Sequence, residues 1–303
     1  MIEAAGVAYD YAAMRALHGV SFTVEPGAVL ALVGPNGAGK TTLMRCIAAL
    51  DAPTEGTITV AGVDTRADPR AVHAAIGYLP DFFGLYDELS VRRALTYAAL
   101  SRGVAKAAAP SAVERAAARV RLSDRLEARA GELSRGLRQR LAIGQTIVHE
   151  PRVLLLDEPA AGLDPEARRE LSDLIVRLAA EGMTIVVSSH ILSELEDYST
   201  RMLMIRDGRV AAGGVVAAGA GSAQAAERFA VTLDEAPADL AERLAALGAG
   251  LVSADGGEAV ISGPPGMDAP DVLARLIASG LRVRAFQPAR RTLEAAYLEE
   301  LAR

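Results

Sequence analysis

The stretch Gly34 to Thr42, GPNGAGKTT, constrains this chain more than any other part of it. Glycines spaced as GxxxxGK[ST] let backbone N–H groups turn toward an anion with no Cβ in the way. The stretch follows an apolar run, Val29 to Val33, and leads into TLMRCIAAL. That order predicts a buried strand, a phosphate-binding loop and a helix N-terminus whose dipole adds to the anion site. Lys40, one of only two lysines, stands inside the loop, although arginine supplies nearly every other positive charge. A compact ammonium suits β- and γ-phosphates better than a planar guanidinium. The candidate nucleotide contacts are Gly34, Pro35, Asn36, Gly37, Ala38, Gly39, Lys40, Thr41 and Thr42.

Short apolar runs, SFTV, VLALV, TITVAG, VLLLD and TIVVSS, alternate with amphipathic segments, the signature of an α/β domain. VLLLD and TIVVSS lack polar alternation, as parallel strands covered on both faces do. Between Leu85 and Leu133 strands give way to a helical insertion broken at Pro110. The small-residue run after Gly213 reads as a linker, over 216–226. Beyond it the pattern is strand (Arg228 to Leu233), helix (Ala238 to Leu247), strand (Gly250 to Ala254), strand (Glu258 to Ser262), helix (Ala269 to Ser279), strand (Leu281 to Phe286). That is the split βαβ, ferredoxin-like order. A closing helix, RTLEAAYLEELAR, puts Leu293, Tyr297, Leu298 and Leu301 on one face. With 303 residues there is room for two cores, expected at 1–215, with the insertion at about 85–135, and at 227–303. The tail has no titratable cluster, and reads equally as a regulatory appendage and as a packing module.

A formal net charge of −6 argues against a nucleic-acid binder, whose affinity rests on basic contacts to phosphates. No stretch approaches the roughly 18 to 20 continuous apolar residues of a membrane span. The start, MIEAAGVAYD, lacks the basic and apolar regions of a secretory signal, and a single cysteine, Cys46, allows no internal disulfide. A soluble chain in a reducing compartment is expected.

The second half of the chemical equipment is VLLLDEP, an apolar strand ending in Asp157 and Glu158. A strand-end aspartate can hold Mg²⁺ while the Thr41 hydroxyl takes another position on the metal. Glu158 can then orient or deprotonate a water aimed at the γ-phosphate. TIVVSSH ends another buried strand with His190, whose neutral imidazole can donate to the same phosphate.

Five motifs follow one another here: GPNGAGKTT, LSRGLRQR (Leu133 to Arg140), LLLDEP, AGLD (Ala161 to Asp164) and SSH. With them the chain resembles the nucleotide-binding subunit of an ATP-binding cassette (ABC) transporter, over about residues 1–215. The resemblance implies a P-loop NTPase cassette, with a mixed sheet core, an antiparallel β edge and a helical insertion, before the small α+β tail domain. It implies ATP and Mg²⁺ as ligands and an adenine stacked on Tyr11, six residues before Leu17. An aromatic face suits that role, though Tyr9 and Tyr11 read equally as strand aromatics. It implies a head-to-tail pair of cassettes, in which Ser134 and Gly136 of one subunit cap the γ-phosphate held by the other and Asp164 communicates between them. Locally Ser134 opens the helical stretch GLRQRLAIGQTIV and serves as an N-cap with or without a partner. It further implies separate transmembrane permease subunits, which hold the chain at the cytoplasmic face of a membrane.

Two departures stand out. The usual signature LSGGQ reads LSRGL here, with Arg135 and Leu137 replacing glycine and glutamine; Ser134 and Gly136 remain, so capping is expected to survive. In IGYLPDFFGLYDELS, Asp81 stands where the family carries glutamine. A carboxylate binds Mg²⁺ more strongly than an amide, which makes Asp81 a candidate ligand beside Thr41 and Asp157. It also joins Lys40, Glu158 and His190 as a candidate catalytic group. The same stretch crowds Tyr78, Phe82, Phe83 and Tyr86 into a chain that is 4% aromatic, as a docking surface for permease helices or as packing for the insertion. The expectation is an ATPase that powers export of an unidentified substrate. A soluble cassette ATPase of translation or DNA maintenance is the alternative; the acidic balance and the single cassette disfavour it.

Overall fold

The computed structural model describes the chain except residues 13, 190, 192–194, 218–227, 235, 238, 265 and 290–303. Its central sheet runs β10 (Arg209–Ala217), β9 (Arg201–Arg206), β3 (Val29–Val33), β8 (Thr184–Ser189), β7 (Val153–Asp157), β6 (Ile76–Leu79). Five of these strands are parallel and β10 lies antiparallel on β9. Every residue of β3, β7 and β8 is buried, which is why their sequences show no polar alternation. Val33 pairs with Ser189 and Ser188 with Asp157, so three strand ends meet along one edge. Ligands of open α/β sheets bind at such an edge.

A second sheet is antiparallel, in the order β2 (Met14–Val24), β1 (Ile2–Tyr11), β4 (Glu55–Val60), β5 (Val63–Asp64). Helix α1 (Lys40–Ile47) buries Leu43, Met44 and Ile47 in one core with Leu30 and Leu32 of β3 and with Ile2, Leu17 and Ile58 of the second sheet. Each such side chain contributes about 1.5–3 kcal/mol. A two-turn helix has little stability of its own, so this packing holds the start of α1, and with it the loop, in place. Helix α2 (Pro69–Ala75), capped by Asp68, leads into β6.

The insertion holds α3 (Val91–Ser101) and α4 (Ala109–Arg119); α5 (Arg135–Ile147) starts where it ends, and α6 (Pro165–Ala180) follows β7. Buried alanines, Ala98, Ala99, Ala112 and Ala116, fill the space between α3 and α4. Pro110 does not break a helix as expected. It lies in the first turn of α4, where its missing N–H costs nothing, and the break falls earlier, at 102–108. The run after Gly213 also differs from a plain linker. Val215, Val216 and Ala217 pair with Leu203, Met202 and Arg201 of β9 beyond a register shift, because β-branched residues resume the ladder there. The rest of the expected linker lies outside the described residues.

A second compact unit follows. Its strands β11 (Arg228–Leu233), β12 (Gly250–Asp255), β13 (Glu258–Ser262) and β14 (Val283–Ala289) form an antiparallel sheet in the order β12-β13-β11-β14. With α7 (Leu240–Ala246) and α8 (Ala269–Ala278) this is the split βαβ order. Leu240, Leu244, Val272 and Leu276 pack with Phe229, which stacks on Phe286 at 4.8 Å. β14 starts at Val283 rather than Leu281, because the Leu281 N–H turns back to Leu276 O and closes α8. The closing helix expected at Arg291 to Arg303 lies outside the described residues.

Candidate functional site

Lys40 is the first residue of α1 and only 7% exposed. Its Nζ donates to Gly34 O at 2.7 Å and Pro35 O at 3.3 Å, and stands 3.7 Å from Glu158 Oε1. An ammonium this buried must be satisfied, and the loop's own carbonyls and one carboxylate do so. Tyr11, at the end of β1, places its hydroxyl 3.2 Å from Thr42 Oγ1 and its ring edge-on to Tyr9. Its ring is half exposed, beside the helix that the loop opens.

Asp157 ends β7 and is fully buried. The Ser188 hydroxyl donates to its Oδ1 at 2.5 Å and accepts the Glu158 N–H at 3.0 Å. Asp157 Oδ2 is buried with no hydrogen bond, a costly state for a carboxylate oxygen and one that a cation relieves. Glu158 has φ +48°, the left-handed region, which turns the chain sharply out of β7. Ser188 was missed as a functional candidate; its signal was a pair of serines closing an otherwise apolar strand. His190, one position beyond β8, lies outside the described residues.

Oxygen donors suit a hard cation, and Asp157 with the Thr41 hydroxyl would hold Mg²⁺ here. Among the described residues no three His, Cys, Asp or Glu side chains gather as a metal cage, so Asp81, Asp157 and Glu158 do not form one. An ion on this site would take its remaining ligands from phosphate oxygens and water. Asp81 lies two residues past the end of β6, exposed; β6 is the strand that pairs with β7. Burial pushes the Tyr78 phenol up to about 12, and the charges of Asp157 and Asp81 add to the push.

The signature residues sit at another helix start. Ser134 caps α5, its Oγ accepting the Leu137 N–H at 3.4 Å, and Asp164 caps α6, its Oδ1 accepting the Ala167 N–H at 2.8 Å. A Cβ on Gly136 would stand 2.9 Å from the Ala167 Cβ, so the two helix starts pack closely. Together Ser134, Gly136, Arg140 and Asp164 face a cleft of about 400 Å³. Of the loop aromatics, Phe82 is 91% and Tyr86 69% exposed, whereas Tyr78 and Phe83 are half-buried. The Tyr86 ring lies edge-on to the exposed Tyr97 of α3, at 6.4 Å. The structure thus brings Lys40, Asp157, Glu158, Thr42 and Tyr11 to one edge and gathers Ser134, Gly136 and Asp164 elsewhere.

A family model described as "ABC transporter" matches residues 17–161. The "Nod factor export ATP-binding protein I" of Rhizobium meliloti is 37% identical over 217 residues, 70% of this chain and 64% of the relative. The "ABC transporter ATP-binding protein NatA" of Bacillus subtilis (strain 168) is 37% identical over 198 residues, 65% of this chain and 80% of the relative. A solved "ATP binding subunit of ABC transporter" superimposes with a TM-score of 0.63 at 31% identity, covering 72% of this chain and 90% of that one. The chain spans less than two thirds of the Rhizobium relative.

Proposed function

Because the chain belongs to the ABC transporter family, we propose that it is the ATP-binding and ATP-hydrolysing subunit of an exporter, working through separate transmembrane subunits. The observation that carries this reading is the convergence of Lys40, Asp157 and Glu158 at one sheet edge, with an unsatisfied Asp157 oxygen poised for a cation. Lys40 takes the β- and γ-phosphates once they displace the loop carbonyls from its Nζ. Asp157 and Thr41 would hold Mg²⁺, which when bound would supply positive charge to offset that of the phosphates. Glu158 accepts a proton from the attacking water, and His190 donates to the γ-phosphate.

Tyr11 supports the adenine. Ser134 and Gly136 close on the triphosphate of a second copy, and Asp164, packed beside them, links the two sites. Among the described residues no helix is long and apolar enough to cross a membrane. In this reading force is delivered through transmembrane partners, with the chain at the cytoplasmic face. The exposed rings of Phe82 and Tyr86 supply an apolar contact for them. The export direction rests on the likeness to the Nod factor export protein of Rhizobium meliloti.

The test is Glu158→Gln with MgATP. Hydrolysis should fall roughly 10²-fold or more while ATP binding persists and the chain elutes as a dimer. Near-normal turnover would remove Glu158 as the base. A chain that stays monomeric under saturating ATP and captures no integral membrane protein from detergent extracts would sink the reading.

A further inference from the structure

The loop around Lys40 is flanked by a turn that none of the five motifs contains. β9 ends at Arg206, Asp207 and Gly208 make the turn, and β10 starts at Arg209. The Gly208 N–H donates to Ala38 O at 3.1 Å, and Gly208 O accepts the His18 N–H at 2.8 Å. Gly208 has φ +69°, and a Cβ there would collide with Ala16 O. The turn's approach through β9 is as close: a Cβ on Gly34 would overlap Ile205 O. From the other side, a Cβ on Gly39 would meet Ala16 O and Leu17 Cδ2, both at 2.9 Å. The loop is therefore wedged between β2 and the β9–β10 turn, at three glycines with no room for a methyl group. These contacts are made chiefly by backbone, so they fix the loop without relying on side-chain rotamers.

We propose that Gly208 is a positioning residue for nucleotide binding: the β9–β10 turn holds the phosphate-binding loop in register through Ala38 and Gly34. This rests on the reading above, that the loop binds a nucleotide. N–H groups bind an anion only while they stay aimed at it, and a displacement of about 1 Å can cost on the order of 10²-fold. A methyl at Gly208 cannot be absorbed by a flexible side chain, because it meets the Ala16 backbone. The turn must move outward and release Ala38 O.

The experiment compares Gly208→Ala with Gly27→Ala in the full chain, reading MgADP affinity by calorimetry and the thermal midpoint without nucleotide. Gly27 matches the backbone strain, with φ +72°, but its Cβ would meet nothing within 4 Å and it precedes β3 at the end away from the loop. The expected result is a dissociation constant raised about tenfold or more in Gly208→Ala over Gly27→Ala, at similar midpoints. Equal affinities would overturn the proposal. If Gly208→Ala does not fold, hydrogen exchange on the unmodified chain decides. The Gly208 amide should slow on MgADP addition together with those of 36–40, and an unchanged Gly208 amide beside a protected loop would overturn it. An unmodified chain that binds no MgADP is a separate outcome, which overturns the nucleotide-binding reading itself and this one with it.

Discussion

The Arg135 guanidinium lies across the backbone of Gly162, so close that a Cβ on Gly162 would fall inside contact distance of its Nη2. Gly162 has φ +67° in the AGLD turn, and Arg135 is the exposed first residue of α5, next to Ser134. The far end of an arginine yields more readily than backbone. Gly162→Ala should therefore push the guanidinium aside and cost little beyond the left-handed strain of about 1–2 kcal/mol. Urea unfolding of both single variants and of the double variant with Arg135→Gly should give a coupling below about 0.5 kcal/mol. A coupling of about 2 kcal/mol would make Arg135 a fixed strut rather than a movable cover.

Ser188 holds both members of the acidic pair, through its hydroxyl to Asp157 Oδ1 and from the Glu158 N–H. Ser188→Ala leaves those buried groups without a partner, which should cost about 1–3 kcal/mol of stability. It also frees the carboxylate proposed to hold the metal, and loss of such support typically costs about 10- to 100-fold in metal affinity. The Mg²⁺ midpoint of ATP hydrolysis should rise accordingly. A variant with the parental midpoint would confine Ser188 to a structural role.

How much of this was legible in the sequence depends on which interactions are local. Val29 to Lys40 declared itself, because strand, loop and helix start are consecutive and each has its own residue chemistry. The tail's strand and helix sequence was equally readable from short-range pattern. Ser188 was not, because its role comes from pairing with Asp157 across a ladder that joins residues 31 apart. Nor was β10 beyond Gly213, where glycine and alanine mimic a linker until Val215 finds β9. Pro110 misled because the same residue that breaks a helix interior starts a helix well.

Asp81 sits two residues past β6, exposed, where the Tyr78 phenol feels both its charge and that of Asp157. Asp81→Gln removes one negative charge from that side of the site. If Asp81 contributes to Mg²⁺, hydrolysis by the variant should need more Mg²⁺ for half-maximal rate. A superimposable metal titration removes Asp81 from the site.

Phe82 is 91% exposed, so Phe82→Ala should change stability by no more than about 0.5 kcal/mol. If the ring docks a membrane partner, the same change should sharply reduce the partner recovered with tagged protein. Phe83, half-buried, is the contrasting case, where Phe83→Ala should lower the melting temperature as well. Full recovery by a Phe82→Ala, Tyr86→Ala double variant would leave the aromatic loop with no docking role.

His149, which follows α5, lets its Nε2 donate to Ile76 O at 3.1 Å while Nδ1 is buried without a hydrogen bond. Burial, helped by the Arg102 charge, lowers its pKa below the usual histidine value. A carbonyl can only accept, so the neutral ring carries its proton on Nε2, and a second proton would be stranded on Nδ1. The unfolded chain, whose histidine titrates near pH 6.5, therefore binds this proton more readily than the folded one. Stability should be full above about pH 6.5 and decline as pH falls toward the depressed folded value. Urea midpoints taken at about pH 7.5 and about pH 5.5 should differ less in His149→Gln than in the parent, because glutamine has no proton to gain. Equal pH slopes in the two proteins would mean that the acid sensitivity arises elsewhere.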